Sequence, residues 1–134
     1  MKNYCEIEIV VQKDTHGTLQ AHARQRLEQQ DLISPIEPVE LDANASVFLS
    51  GDARLTGNAL SNALLQPPAI RDALVSAKAF AATYKTPLRV RLRIDPATSP
   101  LHYLPWETLT DPGTPDQFLF DNVRCTFSRY LFTR

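Results

Sequence analysis

The sequence has little cysteine and glycine, and its charges nearly cancel. Its 134 residues include two cysteines and four glycines, and 14 basic side chains stand against 15 acidic ones. Two cysteines are too few for the disulfide framework of a small secreted domain. The balanced charge removes the electrostatic reason for a nucleic-acid or polybasic membrane binder, and no apolar run approaches the ~20 residues that span a bilayer. We therefore expect a cytoplasmic chain of about one domain, without membrane or nucleic-acid partners.

The residues that usually carry catalysis or bind metals form no recognisable motif. Cys5 and Cys125 lie on the apolar side of strand-like alternations, which favours buried thiols over nucleophiles. The histidines His16, His22 and His102 stand at no ligand spacing, so neither a metal nor another cofactor is expected. A phosphate-binding loop and a serine nucleophile elbow are absent from the sequence. A dyad of His102 with one of the cysteines is the weaker alternative.

The N-terminal part of the chain has the pattern of a β-rich segment. Residues 5–11 alternate apolar and polar, which predicts a half-buried strand. Residues 18–27 favour a hairpin partner for it, although their composition also suits a helix. Two prolines in 34–38 exclude a helix interior and predict an extended edge piece. Residues 42–57 have the composition of a loop with one short helical turn.

The pattern turns helical in the middle and returns to strands at the end. An apolar helix face is expected from residue 58 until two prolines interrupt it at 67, and a longer one over 70–84. Residues 88–94 form the most regular alternation of the chain. Short strands are expected over 118–120 and 123–127, after a turn at 111–115.

Three arginines, Arg89, Arg91 and Arg93, fall on one face of the 88–94 strand, about 6–7 Å apart by strand geometry. Guanidinium groups at this spacing could bind phosphates or an acidic partner. The simpler interpretation is a solvated sheet face balanced by acids, with Glu6 and Glu8 as candidates. Nucleic acid is disfavoured because no aromatic side chain interleaves with the arginines along their strand.

Five features follow one another in the second half of the chain. They are the basic strand 88–94, the motif Leu104-Pro105-Trp106-Glu107, the turn Asp111-Pro112, the pair Phe118-Leu119 and the run Phe127-Ser128-Arg129-Tyr130-Leu131. In this order, residues 88–132 resemble the N-terminal part of CHAT domains, which are caspase-like. The likeness is looser over 58–84. Before residue 58 it extends only to the β-rich lead-in that often precedes these domains.

The order of elements, with strands at both ends and helices in the middle, predicts an α/β fold. The resemblance agrees with a β-rich lead-in of a hairpin or three strands over 1–57. Residues 58–134 would then be the N-terminal portion of a CHAT domain, with one or two central helices and strands that join a caspase-like sheet. The family implies a cysteine endopeptidase (a hydrolase) of bacterial defence or signalling. Its catalytic His and Cys follow the segment that matches 128–132, so no catalytic residue is expected in this chain. The motif residues Leu104, Pro105, Trp106 and Glu107 are expected to be structural.

Two functions stay open. The first is a non-catalytic portion of a caspase-like peptidase, structural or regulatory for a protease core supplied in cis or by another chain. The second is a free-standing interaction or regulatory module, and regulatory or sensor proteins are possible partners of either. The last apolar run predicts a docking strand buried on both faces. Its expected docking residues are Phe127, Tyr130, Leu131 and Phe132.

Overall fold

The computed structural model describes residues 5–27, 30–120 and 125–131, which adopt an α/β fold as predicted. The helices are α1 (Ala53–Leu64) and α2 (Pro68–Tyr84). The strands are β1 (Cys5–Lys13), β2 (Leu19–Leu27), β3 (Gln30–Ile33), β4 (Glu37–Pro38), β5 (Leu88–Ile94), β6 (Thr110–Asp111), β7 (Thr114–Phe118) and β8 (Cys125–Leu131). In these parts of the chain, neither helix combines the length and apolarity needed to cross a membrane.

Six strands form one mixed sheet in the order β3-β2-β1-β5-β8, with β4 also paired to β2. β1 is antiparallel to β2 but parallel to β5, and β5 is parallel to β8. Parallel neighbours need a long crossover, and the connection from β1 to β5 contains both helices. The sheet contains strands from both sides of residue 57, and α1 crosses that position. The domain boundary predicted there stays a prediction.

Helix α2 covers one face of the sheet. The Cys5 thiol of β1 donates a hydrogen bond to the Ala77 carbonyl of α2 over 3.3 Å. Residues at alternate positions of β1 therefore point to α2, as do their register partners on β2, β5 and β8. The fully buried side chains of this face include Ile7, Ile9 and Ile94.

Helix α1 begins five residues earlier than the sequence pattern indicates, so the loop prediction is wrong for residues 53–57. The cause is the N-cap: the Asp52 carboxylate accepts hydrogen bonds from the N–H groups of Arg54 and Leu55 at 2.9 and 3.2 Å. Helix α2 starts at Pro68, where proline is tolerated because the first helical N–H groups have no partner inside the helix.

Three strand predictions also need correction. β1 is not half-buried, because Glu6 and Glu8 are as buried as their apolar neighbours. The strand expected over 118–120 is β7, which begins at Thr114 and pairs with β6 in a hairpin. β8 is not buried on both faces, since Thr126 and Ser128 are exposed.

Gly57 lets α1 approach the backbone of Thr108 more closely than any other residue type would. A Cβ atom at this position would lie 1.9 Å from the carbonyl oxygen of Thr108. The Thr110 hydroxyl donates to the Asn58 side-chain oxygen over 2.8 Å in the same contact. The helix is thus packed directly against the turn that contains Trp106.

We predict that Gly57→Ala lowers the unfolding free energy by about 1–3 kcal/mol, because the added methyl group overlaps a backbone oxygen. Helix propensity alone would change stability by roughly 1 kcal/mol in the opposite direction. The matched control is Asn62→Ala at an exposed position of α1. Urea unfolding measures both, and a Gly57→Ala protein as stable as the control would contradict the close packing.

Candidate functional site

The sheet face opposite α2 is polar, and we call it the polar face. It carries Glu6 and Glu8 on the central strand β1, flanked by arginines on β2 and β5. In register, Glu6 stands between Arg26 and Arg89. Glu8 stands between Arg24 and Arg91, and Arg93 is in register with Val10, two residues further along β1. We call each set of residues of this face that are in register across the strands a rung.

Two arginine side chains of β5 point toward the start of their strand. Each contacts the glutamate that lies one rung before its own register partner on β1. Arg91, in register with Glu8, forms its ion pair with Glu6 at 3.7 Å. Arg93 likewise reaches Glu8 at 3.9 Å, and Arg26 approaches Glu6 from the other side at 3.6 Å. Two guanidinium groups therefore flank the Glu6 carboxylate.

Glu6 is buried beneath the arginines. Its side chain is 1% exposed, while those of Arg26 and Arg91 are 38% and 32% exposed. Within the described residues, neither carboxylate oxygen accepts a hydrogen bond. Long arginine stems can cover apolar surface while their charged ends stay in water. A buried carboxylate is costly without such charges, so the arginines are part of the fold as well as of its surface.

The polar face carries an excess of positive charge. At its β3 edge, two hydrogen bonds join Arg24 to Asp31, which raises the pKa of Arg24 and lowers that of Asp31. Burial lowers the pKa of His22 despite the opposing charge of Glu8, so His22 is neutral near pH 7. Five arginines thus face three carboxylates on these strands, in a chain whose net charge is −1.

A groove follows the seam between β5 and β8 on this face. It encloses about 470 Å³, and its side-chain lining includes Arg89, Arg91, Thr126 and Ser128. Arg89 pairs in register with Thr126 and Arg91 with Ser128. Two arginines of β5 and two hydroxyl residues of β8 therefore line one groove. We call this the arginine–hydroxyl groove.

The Trp106 motif lies in the core and not on the polar face. Trp106 is fully buried, and its indole N–H donates to the Leu101 carbonyl over 2.8 Å. Leu104 is also buried, Pro105 is half-buried, and Glu107 is exposed. The motif closes a short turn between β5 and β6, on which α1 rests.

We predict that Trp106→Ala lowers the unfolding free energy by about 3–5 kcal/mol, because it removes a large buried side chain. Trp106→Phe should cost less, about 1–3 kcal/mol, mainly because the Leu101 carbonyl loses its donor. Tyr103→Ala is the control, since Tyr103 is 88% exposed. Chemical denaturation measures all three. Equal losses for Trp106→Ala and Tyr103→Ala would contradict the anchoring role.

The two thiols lack the surroundings that activate a catalytic cysteine. Burial raises the pKa of both Cys5 and Cys125 to about 11, whereas a nucleophilic cysteine needs a lowered pKa. Cys5 faces α2, and the sheet separates it from His22 on the polar face. Cys125 borders a cavity of about 580 Å³ at the amino ends of β5 and β8. Ligands of open α/β sheets bind at the opposite, carboxyl ends.

We predict slow alkylation of the folded chain by iodoacetamide at pH 8. With a pKa of about 11, only about one Cys5 thiol in a thousand is ionised at that pH. Alkylation should be at least ~10-fold slower than in urea, and Cys5→Ser and Cys125→Ser variants assign the rates. Fast alkylation of the folded chain would contradict this prediction.

Because the pKa of both thiols is raised in the folded chain, their contribution to stability is full below about pH 9. It is lost as the pH rises to about 11.

The predicted docking strand is described only in part. Phe127 is half-buried on the α2 side, with its ring centroid 4.7 Å from that of Phe120. Tyr130 and Leu131 lie in β8, in register with Arg93 and Ile94. Phe132 lies outside the described residues.

Sequence reasoning missed the hydroxyls of the groove and the arginines of β2. The alternation of Thr126 and Ser128 with Cys125 and Phe127 contains the signal, but only the register shows which arginines they accompany. In the described parts of the chain, no three His, Cys, Asp or Glu side chains gather as a metal site would require. Comparisons with protein-family models, curated proteins and solved structures give no match.

Proposed function

We propose that this chain is the non-catalytic N-terminal portion of a CHAT-type, caspase-like cysteine peptidase. Its role is to supply one end of the sheet on which the protease core is built. The core, which would carry the catalytic His and Cys, comes in cis or from a second polypeptide. The resemblance over 88–132 supplies the family, and the place of β8 in the sheet supplies the physical argument.

The observation that carries this proposal is that β8 is an edge strand parallel to its neighbour. β8 pairs with β5 over seven residues, from Leu88–Cys125 to Ile94–Leu131. On its other side it has no strand partner among the described residues. Parallel strands are usually interior strands, and a long unprotected edge promotes pairing with another chain. A further strand beside β8 would satisfy these backbone groups.

The alternative is a free-standing interaction or regulatory module without peptidase activity. The observation that favours it is the polarity of β8 on one face, where Thr126 and Ser128 are exposed. A half-polar strand can end a sheet in water, as edge strands of antiparallel sheets do. Under this alternative, β8 stays an edge and partners such as sensor proteins bind elsewhere.

Amide hydrogen exchange distinguishes the two. In the isolated chain, the backbone N–H groups of β8 should exchange slowly and quickly in alternation, because only alternate groups point to β5. In a longer polypeptide that includes the product of the downstream coding region, or with the separate protease core added, exchange of the fast amides should slow by about 10-fold or more. β3, at the opposite edge of the sheet, is the internal control and should not change.

Two outcomes would contradict the proposal. Uniform protection of β8 in the isolated chain would show a self-contained domain. Exchange in β8 that stays unchanged when the downstream part is present would show that the protease core does not pair with this edge. Either result would favour the free-standing module.

A further inference from the structure

We propose that the arginine–hydroxyl groove binds an extended, acidic protein segment with carboxylates at alternate positions. This site is separate from the edge of β8, because it uses side chains of the polar face and not unpaired backbone groups. The inference does not rest on the proposed peptidase role.

Hydrogen-bond donors from two adjacent strands line the arginine–hydroxyl groove. Arg89 and Arg91 of β5 present N–H donors, and Thr126 and Ser128 of β8 present O–H donors. A carboxylate has two acceptor oxygens, so it can accept from a guanidinium group and a hydroxyl at once. Hydrogen bonds between a guanidinium group and a carboxylate are among the stronger ones in proteins.

Arg91 can contact two carboxylates at once. Its ion pair with Glu6 is 3.7 Å long, and a guanidinium group has five N–H donors. Arg91 can therefore keep its contact with the buried carboxylate and donate to a second one above the sheet. Its side chain is 32% exposed, and Arg89 is more exposed still.

The spacing of the two arginines matches that of alternate residues in an extended peptide. Successive rungs on one face of a strand lie about 6–7 Å apart, and so do side chains two residues apart in an extended peptide. Carboxylates at alternate positions thus match the two rungs. Adjacent carboxylates do not, because they point to opposite sides of the peptide.

The groove suits a polypeptide better than a small phosphate. Phosphate sites usually add backbone N–H groups from a loop or a helix N-terminus. The groove lies instead along the seam where the backbones of β5 and β8 pair with each other. Side chains repeated at the strand period suit a ligand with the same period. The positive excess of this face, in a chain with a net charge of −1, complements an acidic segment.

The test is a nuclear magnetic resonance titration of residues 1–134 with two capped peptides of equal composition. Thr-Glu-Thr-Glu-Thr has its glutamates at alternate positions, and Thr-Glu-Glu-Thr-Thr has them adjacent. We expect amide shift changes at residues 89, 91, 126 and 128. The alternating peptide should bind at least about 5-fold more tightly, which corresponds to one ordinary hydrogen bond. Equal binding of the two peptides, or shifts elsewhere, would overturn the proposal.

Two pairs of variants locate the site. Arg89→Gln with Arg91→Gln should weaken binding of the alternating peptide about 10-fold or more. The matched control is Arg54→Gln with Arg71→Gln, which removes the same charge from exposed positions on α1 and α2. Equal weakening by both pairs would show attraction without a site and would overturn the proposal.

A third variant covers the case in which loss of Arg91 disturbs the fold through Glu6. Thr126→Val with Ser128→Ala keeps every ion pair, and we expect it to weaken binding several-fold. Unchanged binding would contradict the role of the hydroxyls.

Pyrophosphate is the competing probe, and tighter binding of pyrophosphate than of either peptide would overturn the proposal in favour of a small-anion site. The titration needs no downstream polypeptide, so its outcome is independent of the peptidase proposal. The peptides can fail to bind although β8 pairs with a protease core, and they can bind although β8 does not.

Discussion

The parallel pairing of β1 with β5 is the constraint on which the rest of the structure depends. It places the acidic positions of one strand against basic positions of the other, at Glu6–Arg89 and Glu8–Arg91. Since parallel neighbours require a crossover, it also brings α1 and α2 into the connection and α2 onto one face. The same pairing leaves the far side of β5 for β8, which becomes the edge of the sheet.

The central strand is buried on both faces by two different means. On one face, α2 packs against apolar side chains. On the other, arginine side chains cover Glu6 and Glu8 while their own charged ends stay partly in solvent. Burying a carboxylate is unfavourable, and ion pairs longer than 3.5 Å offset that cost only in part. The glutamates of the central strand therefore depend on the arginines of both neighbouring strands.

The sequence predicted the α/β class of the fold, but it predicted few of the contacts on the polar face. Period-two alternation located β1, β2 and β5, because side-chain direction in a strand follows directly from sequence spacing. The burial of Glu6 could not be predicted, because it depends on arginines 20 and 85 positions away that only the register brings together. The early start of α1 was missed for a related reason: Gly57 weakens a helical pattern locally, and its close contact with Thr108 is a tertiary effect.

Chain connectivity keeps the parallel crossovers away from the polar face. The crossovers from β1 to β5 and from β5 to β8 run in the same direction across the sheet, and their apolar residues share one core with α2. Parallel crossovers are right-handed almost without exception, so all those that run in one direction lie on one face. A further strand added beside β8 by such a crossover would again bring its connection to the α2 face. Growth of the sheet past β8 by such crossovers would therefore extend the polar face without covering it.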